Sequence, residues 1–170
     1  MTVIVGHNGA GKSSLLRAIA GSARVSSGRI SLGDIELGRM RPGARARMIG
    51  VVPDHPEYNT TAELTLEEHL SLAVARGQRR LRSALSRGRR DEIRELARQA
   101  GLGLDQRLGV TVGTLSAGQR QATALVMALA TSPALLLLDE YTANLDPWAA
   151  QRLRAVTALL SRESGATASW

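Results

Sequence analysis

The chain has 170 residues, 44% of them apolar and 22% charged, with a formal net charge of +7, and a chain of this size can bury about two-thirds of its unfolded surface around one core. No apolar run approaches the roughly twenty residues needed to span a bilayer, and no basic start with an apolar stretch and cleavage site precedes the first glycine loop, which predicts a soluble, cytoplasmic protein. The absence of cysteine excludes disulfides and cysteine-zinc sites, and His7, His55 and His69 are too widely spaced to predict a metal centre.

The chain begins with "TVIV", a β-branched run that predicts a short strand, followed at once by "GHNGAGKSS" and "LLRAIAG", a helix stopped by Gly21. The loop fits G-x-x-x-x-G-K-[ST], in which backbone N–H groups at a helix start cradle phosphate. Gly6, Gly9 and Gly11 let the backbone curl inward, Lys12 reaches the β- and γ-phosphates, and Ser13 offers a hydroxyl to Mg²⁺; Asn8, Ala10 and Ser14 complete the predicted nucleotide-binding set. Of the 22 basic residues 21 are Arg, and the one Lys occupies the slot that demands a compact ammonium on a flexible stem. The plainer alternative is an ordinary glycine turn before a helix.

"GRISLGDIEL" predicts a hairpin around Gly33-Asp34, and "RMIGVV" a strand stopped by Pro53. Thr65 and Glu68 form a predicted capping box opening a helix that stops at Gly77, and "RRDEIRELARQAG" predicts another helix ending at Gly101. Nine arginines lie between Arg76 and Arg98. The stretch lacks interleaved aromatics for base stacking, and Asp91, Glu92 and Glu95 offset its charge, so it reads as a solvated helical face, or one facing a partner or lipid headgroups, in preference to a nucleic-acid surface.

"LSAGQRQ" places Ser116 as N-cap with Gln119 three residues on, a capping box opening a helix over "AGQRQATALVMALAT", whose positive end is a second phosphate site. A well-capped amphipathic helix is the plainer alternative. "PALLLLDEY" reads as a strand covered on both faces, with Asp139 and Glu140 emerging where open α/β sheets hold ligands. Paired with the glycine loop, Asp139 can hold Mg²⁺ through water and Glu140 can polarise the attacking water; alone, the pair would be two solvated acids capping a strand. Asp146-Pro147 starts a helix with Ala149, Leu153, Val156 and Leu160 on one face, and a last strand is predicted from Ala166.

"LSAGQ", residues 115 to 119, resembles the LSGGQ signature of ATP-binding cassette (ABC) proteins, and "ANLD" at 143 to 146 is similar to that family's D-loop. The order of glycine loop, signature, acidic strand and D-loop covers nearly the whole chain. The resemblance implies an α/β P-loop NTPase with a mostly parallel sheet core, a short antiparallel β hairpin region and an inserted helical subdomain: one incomplete domain over 1–170, with core 1–58 and 133–170 and helical subdomain about 59–132. It implies ATP and Mg²⁺ as cofactors, Ser116, Ala117, Gly118, Gln119 and Asp146 as further nucleotide-binding residues, and a head-to-tail dimer in which each signature closes over the other chain's ATP. It also implies a transmembrane permease partner, a substrate-binding protein in the same system, and a place on the inner face of the cell membrane. "TTAELTLEEHLSLAVARG" and "LLLLDEYTANLDP" look most like ATPase subunits of bacterial importers, with amino acids as the expected cargo.

Four departures qualify the resemblance. The family has more strands ahead of the glycine loop, carrying an aromatic that stacks on adenine, and a switch histidine one strand after the acidic one; here neither is found, and the chain is expected to be truncated at both ends. Loss of stacking worth about 1–3 kcal/mol predicts roughly tenfold to hundredfold weaker nucleotide binding, and loss of a charge-stabilising donor predicts turnover lower by about a hundredfold. Asp54 stands where the family has glutamine, still able to bind Mg²⁺ through water, and Ala117 replaces a glycine. The leading expectation is therefore ATP binding and hydrolysis as a transporter subunit. The alternative is a non-hydrolysing nucleotide-binding fragment, and a soluble ABC ATPase acting on DNA or the ribosome ranks last.

Overall fold

A computed structural model describes residues 2–75, 87–163 and 167–169. Its elements in chain order are α1 (Lys12–Ala20), the hairpin β1 (Ser31–Leu32) and β2 (Ile35–Glu36), α2 (Pro42–Met48), β3 (Ile49–Val52), α3 (Leu66–Val74), α4 (Arg87–Ala100), α5 (Ala117–Leu129), β4 (Leu135–Leu138), α6 (Pro147–Glu163) and β5 (Thr167–Ser169). The central sheet is parallel with order β3-β4-β5, pairing Ile49 with Leu135 and Val52 with Leu138 on one side and Leu135 with Thr167 on the other. The expected hairpin forms with Ser31 opposite Glu36, and Gly33 supplies the positive φ of the turn.

The period-2 alternation of a strand explains how four consecutive leucines serve two cores. Leu136 and Leu138 join the larger cluster with Leu66, Leu70, Ile93, Leu125 and Leu153, whereas Leu137 joins the smaller one with Leu16, Leu37 and Ile49. α5 thus covers one face of the sheet and α1 the other. β3 follows the same alternation, and Gly50 is the point of closest approach: a Cβ there would lie 2.5 Å from the Ala128 carbonyl oxygen of α5.

Both predicted capping boxes form, at Thr65/Glu68 and at Ser116/Gln119. Hydrogen bonds from the Thr65 backbone and hydroxyl hold the Glu68 carboxyl below its ordinary range. α4 ends at the expected place, with Gly101 at positive φ, while the expected stop at Gly77 and most of the arginine-rich stretch lie outside the described residues. Of that stretch, Arg90 pairs with Glu67 of α3 at 2.9 Å and Arg98 with Glu95 of its own helix at 2.6 Å.

Two features differ from the sequence reading. "TVIV" does not form a strand: only Thr2 is a bridge residue, residues 3–7 join no ladder among the described residues, and Val3 and Val5 are 58% and 89% exposed. A β-branched run becomes a strand only where a neighbour offers its edge. α2 was not anticipated, because its apolar periodicity is broken by arginines, although Pro42 at the first turn is a helix-start signal. Its Arg45 is buried and donates to the carbonyl oxygens of Ala18, Ile19 and Leu37, holding the C-terminal end of α1 through charge-assisted bonds.

Candidate functional site

The glycine loop enters α1 through Gly9 at φ +83° and Gly11 at φ +91°, left-handed conformations that L side chains rarely adopt, and nothing lies within 4 Å of where a Cβ would sit on either. Gly11 is the N-cap and no side chain caps the helix, so its first N–H groups are left for another acceptor. Lys12 folds back over the loop, its Nζ donating to the carbonyls of Gly6 at 3.0 Å and His7 at 3.2 Å, with the Glu140 carboxylate 3.6 Å away. Ser13 Oγ donates to Asp139 Oδ1 at 3.0 Å.

The opposite wall is built by strand ends. The Asp139 N–H donates to the Val52 carbonyl at 3.0 Å, carrying the β3–β4 pairing one step past the ladder, so Asp54 emerges beside Asp139. Gln121 of α5, itself buried, donates to the Pro53 carbonyl at 2.7 Å and holds that segment in place. Glu140 follows at φ +41°, a strained conformation for a residue with a side chain. Together Asn8, Gly9, Gly11, Lys12, Ser13, Ser14, Asp54, Asp139 and Glu140 line a recess of about 280 Å³. Gly6 and Ala10 stand behind it and shape the loop, Gly6 through its carbonyl and Ala10 through an N–H donated to His7 at 3.1 Å.

Ser116, Ala117, Gly118, Gln119 and Asp146 are not brought to this recess. They line a second one of about 600 Å³, with Leu102, Trp148 and Arg152. There Ser116 Oγ accepts from the Gln119 N–H at 3.3 Å, and Gln119 Nε2 donates to the Leu102 carbonyl at 3.0 Å. Leu102 has positive φ between two positive-φ glycines, Gly101 and Gly103, which turns that carbonyl toward the helix start. Asp146 Oδ1 accepts the Ala149 N–H at 3.0 Å and caps α6.

The sequence reading missed Gln121, whose glutamine within an amphipathic helix carried no signal of its distant partner, and Trp148, an exposed indole beside the second recess. Ser13, Asp139 and Asp54 form an all-oxygen donor set suited to Mg²⁺. No group of three or more histidine, cysteine or carboxylate side chains able to hold a metal alone occurs among the described residues; Mg²⁺ needs none, since it commonly takes one or two carboxylates with waters and phosphate oxygens.

A glycine loop opening a helix beside an acid-tipped parallel strand defines the α/β class of P-loop nucleotide-binding proteins. Residues 1–143 match the ABC transporter family model, and the chain belongs to that family. It is 35% identical over 164 residues to the tyrosine transport ATP-binding protein of Clostridioides difficile, covering 96% of this chain and 65% of that protein. It is 37% identical over 155 residues to the sulfate/thiosulfate import ATP-binding protein CysA of Gloeobacter violaceus, covering 91% of this chain and 42% of that one. The chain thus spans less than two-thirds of the length of either relative. A solved dimeric ATP-binding cassette in a post-hydrolysis state, bound to ADP and Pi, superposes with a TM-score of 0.85 at 26% identity, covering 99% of this chain and 72% of that one.

Proposed function

We propose that the chain binds and hydrolyses ATP as the nucleotide-binding part of a membrane importer. The observation that carries this is the hydrogen bond between Ser13 and Asp139, which joins the glycine loop to the acidic strand end within one recess that also holds Lys12 and Glu140. The N–H groups of Gly9 and of residues 11–14 and the Lys12 ammonium receive the phosphates, while the Ala10 N–H holds the loop through His7. Ser13, Asp139 and, through water, Asp54 would hold Mg²⁺, which neutralises phosphate charge when bound. Glu140, half-exposed at the mouth of the recess, orients the attacking water and accepts its proton.

The second recess supports a head-to-tail dimer. Ser116, Ala117, Gly118, Gln119 and Asp146 lie away from their own chain's glycine loop, where they can close over the nucleotide of a second copy. Residues about 59–132 form the helical subdomain of this reading, inserted in a core of 1–58 and 133–170, with α5 packed on the sheet through Leu125 and Ala128. The tyrosine transport relative supports an amino-acid cargo; a permease and a substrate-binding protein as partners, and the inner face of the cell membrane as the location, complete the proposal. No helix among the described residues is long and apolar enough to cross a membrane.

The test is titration of a fluorescent ATP analogue with Mg²⁺, in parallel with phosphate release, for the wild type and Lys12→Ala. The expected result is binding weakened by more than tenfold in the variant. Equal weak binding by both proteins would refute nucleotide binding; binding without phosphate release, alone or with a permease, would leave a non-hydrolysing module.

A further inference from the structure

The recess is lined by one cation and three carboxylates: Lys12 against Asp54, Asp139 and Glu140. Two of the acids have partners suited to their charge, since Glu140 lies 3.6 Å from the Lys12 ammonium and Asp139 accepts the Ser13 hydroxyl. Asp54 has neither. Its Oδ1 accepts only the N–H of the next residue, His55, at 2.9 Å, and its Oδ2 is 3.9 Å from His55 Nε2, an imidazole that also lies 3.9 Å from Glu57. The backbone that carries Asp54 is held twice on its N-terminal side: Val52 accepts from the Asp139 N–H and Pro53 from buried Gln121.

A triphosphate entering without metal therefore meets a wall whose acids outnumber its single ammonium: Lys12 pairs with Glu140, Asp139 has the neutral Ser13 hydroxyl, and Asp54 has, among the described residues, no ion pair beyond the 3.9 Å approach of the His55 imidazole. A divalent complex of the same triphosphate carries less negative charge and brings a cation that Asp54 can face through water. We infer that Asp54 makes this recess selective for the divalent-metal complex of a nucleoside triphosphate, excluding the metal-free form by like-charge repulsion. The inference rests on the nucleotide reading proposed above. It assigns Asp54 a role in specificity that a neutral side chain at the same place would lack.

The experiment titrates the full chain with a fluorescent ATP analogue in Mg²⁺ and again in EDTA, at one ionic strength. It compares the wild type with Asp54→Asn, a near-isosteric change that removes only the charge, and with Glu57→Gln, which removes an equal charge outside the recess. The wild type is expected to bind the Mg²⁺ complex at least about tenfold more tightly than the metal-free analogue, as one unopposed unit charge near the phosphates implies. Asp54→Asn should raise metal-free affinity by about the same factor and narrow the gap, while Glu57→Gln leaves it unchanged. Equal metal-free binding by the wild type and Asp54→Asn overturns the inference, as does an equal narrowing by Glu57→Gln. If the wild type binds the Mg²⁺ complex no better than Lys12→Ala does, the nucleotide reading itself has failed and this inference falls with it. A thermal melt of each variant separates unfolding from a change in binding.

Discussion

Ser13 and Asp139 stand 126 residues apart in the chain and 3.0 Å apart in the fold, the hydroxyl donating to the carboxylate. The bond sets the side chain that opens α1 against the one that ends β4 before any ligand arrives, so part of the ordering entropy of binding is already met. Ser13→Ala removes the hydroxyl and leaves the recess charge unchanged. The gain in nucleotide affinity that Mg²⁺ provides is expected to fall about tenfold, read by calorimetry with and without Mg²⁺, and Ser13→Thr should restore it. An undiminished Mg²⁺ effect in Ser13→Ala would show that the hydroxyl takes no part.

Glu140 carries a backbone strain that its proposed task would require. At φ +41° a side chain costs on the order of 1 kcal/mol relative to glycine, and the Lys12 ion pair at the surface offsets little of it. Glu140→Gly should therefore raise the melting temperature by about 2–4 °C for a chain of this size, while phosphate release falls by a hundredfold or more. Glu140→Gln, which keeps the strain and loses the base, should lose turnover with no gain in melting temperature. Scanning calorimetry beside a phosphate assay separates the two, and a destabilised Glu140→Gly would count against strain at this residue.

Tyr141 gives the fold an alkaline limit. Burial pushes its phenol up from 10.0 to about 12, against the opposing effects of the Thr157 hydrogen bond and Arg154. The folded state thus keeps the proton that the unfolded chain gives up, and stability present below pH 10 is lost progressively as the pH rises toward 12. Urea midpoints measured from pH 8 upward should decline through that window, and Tyr141→Phe should decline less. Parallel slopes in the two proteins would place the cause elsewhere.

His69 is a buried imidazole with both nitrogens in use. Nε2 accepts the Thr61 N–H at 2.8 Å, which leaves the proton on Nδ1, facing the Thr65 carbonyl at 3.1 Å. The ring fastens the segment after β3 to the first turn of α3. His69→Leu would remove the acceptor of the Thr61 N–H, at a cost of about 0.5–1.5 kcal/mol, measured as a lower urea midpoint. His69→Gln, able to accept and donate along a similar reach, should recover part of the loss.

Much of the molecule was legible from short stretches because the interactions that shape them close within a few residues. The two capping boxes bond over three residues, the Gly33 turn needs only its own φ, and four leucines followed by two acids can be satisfied only as a strand buried on both faces with its tip in water. The glycine loop belongs to the same class, since its curl and its lysine are set locally. α2 escaped notice because its reason for folding is remote: Arg45 is buried by bonds to carbonyls of Ala18 and Ile19, contributed by another helix. "TVIV" was misjudged for the converse reason, its extended propensity finding no paired edge among the described residues.

The sequence by itself determined the phosphate-cradling loop, the acid-tipped strand, the capped signature helix and their order along the chain. Tertiary structure supplied the geometry of that expected pairing, with the loop and the strand tip joined by the Ser13–Asp139 bond in one recess and the signature residues lining another. It also decided that Asp54 projects beside Asp139, held there by Gln121. The physical reason is that helix caps and turns are satisfied by neighbours in sequence, whereas the placement of one charge against another depends on strand register and on buried hydrogen bonds that only the packed sheet supplies.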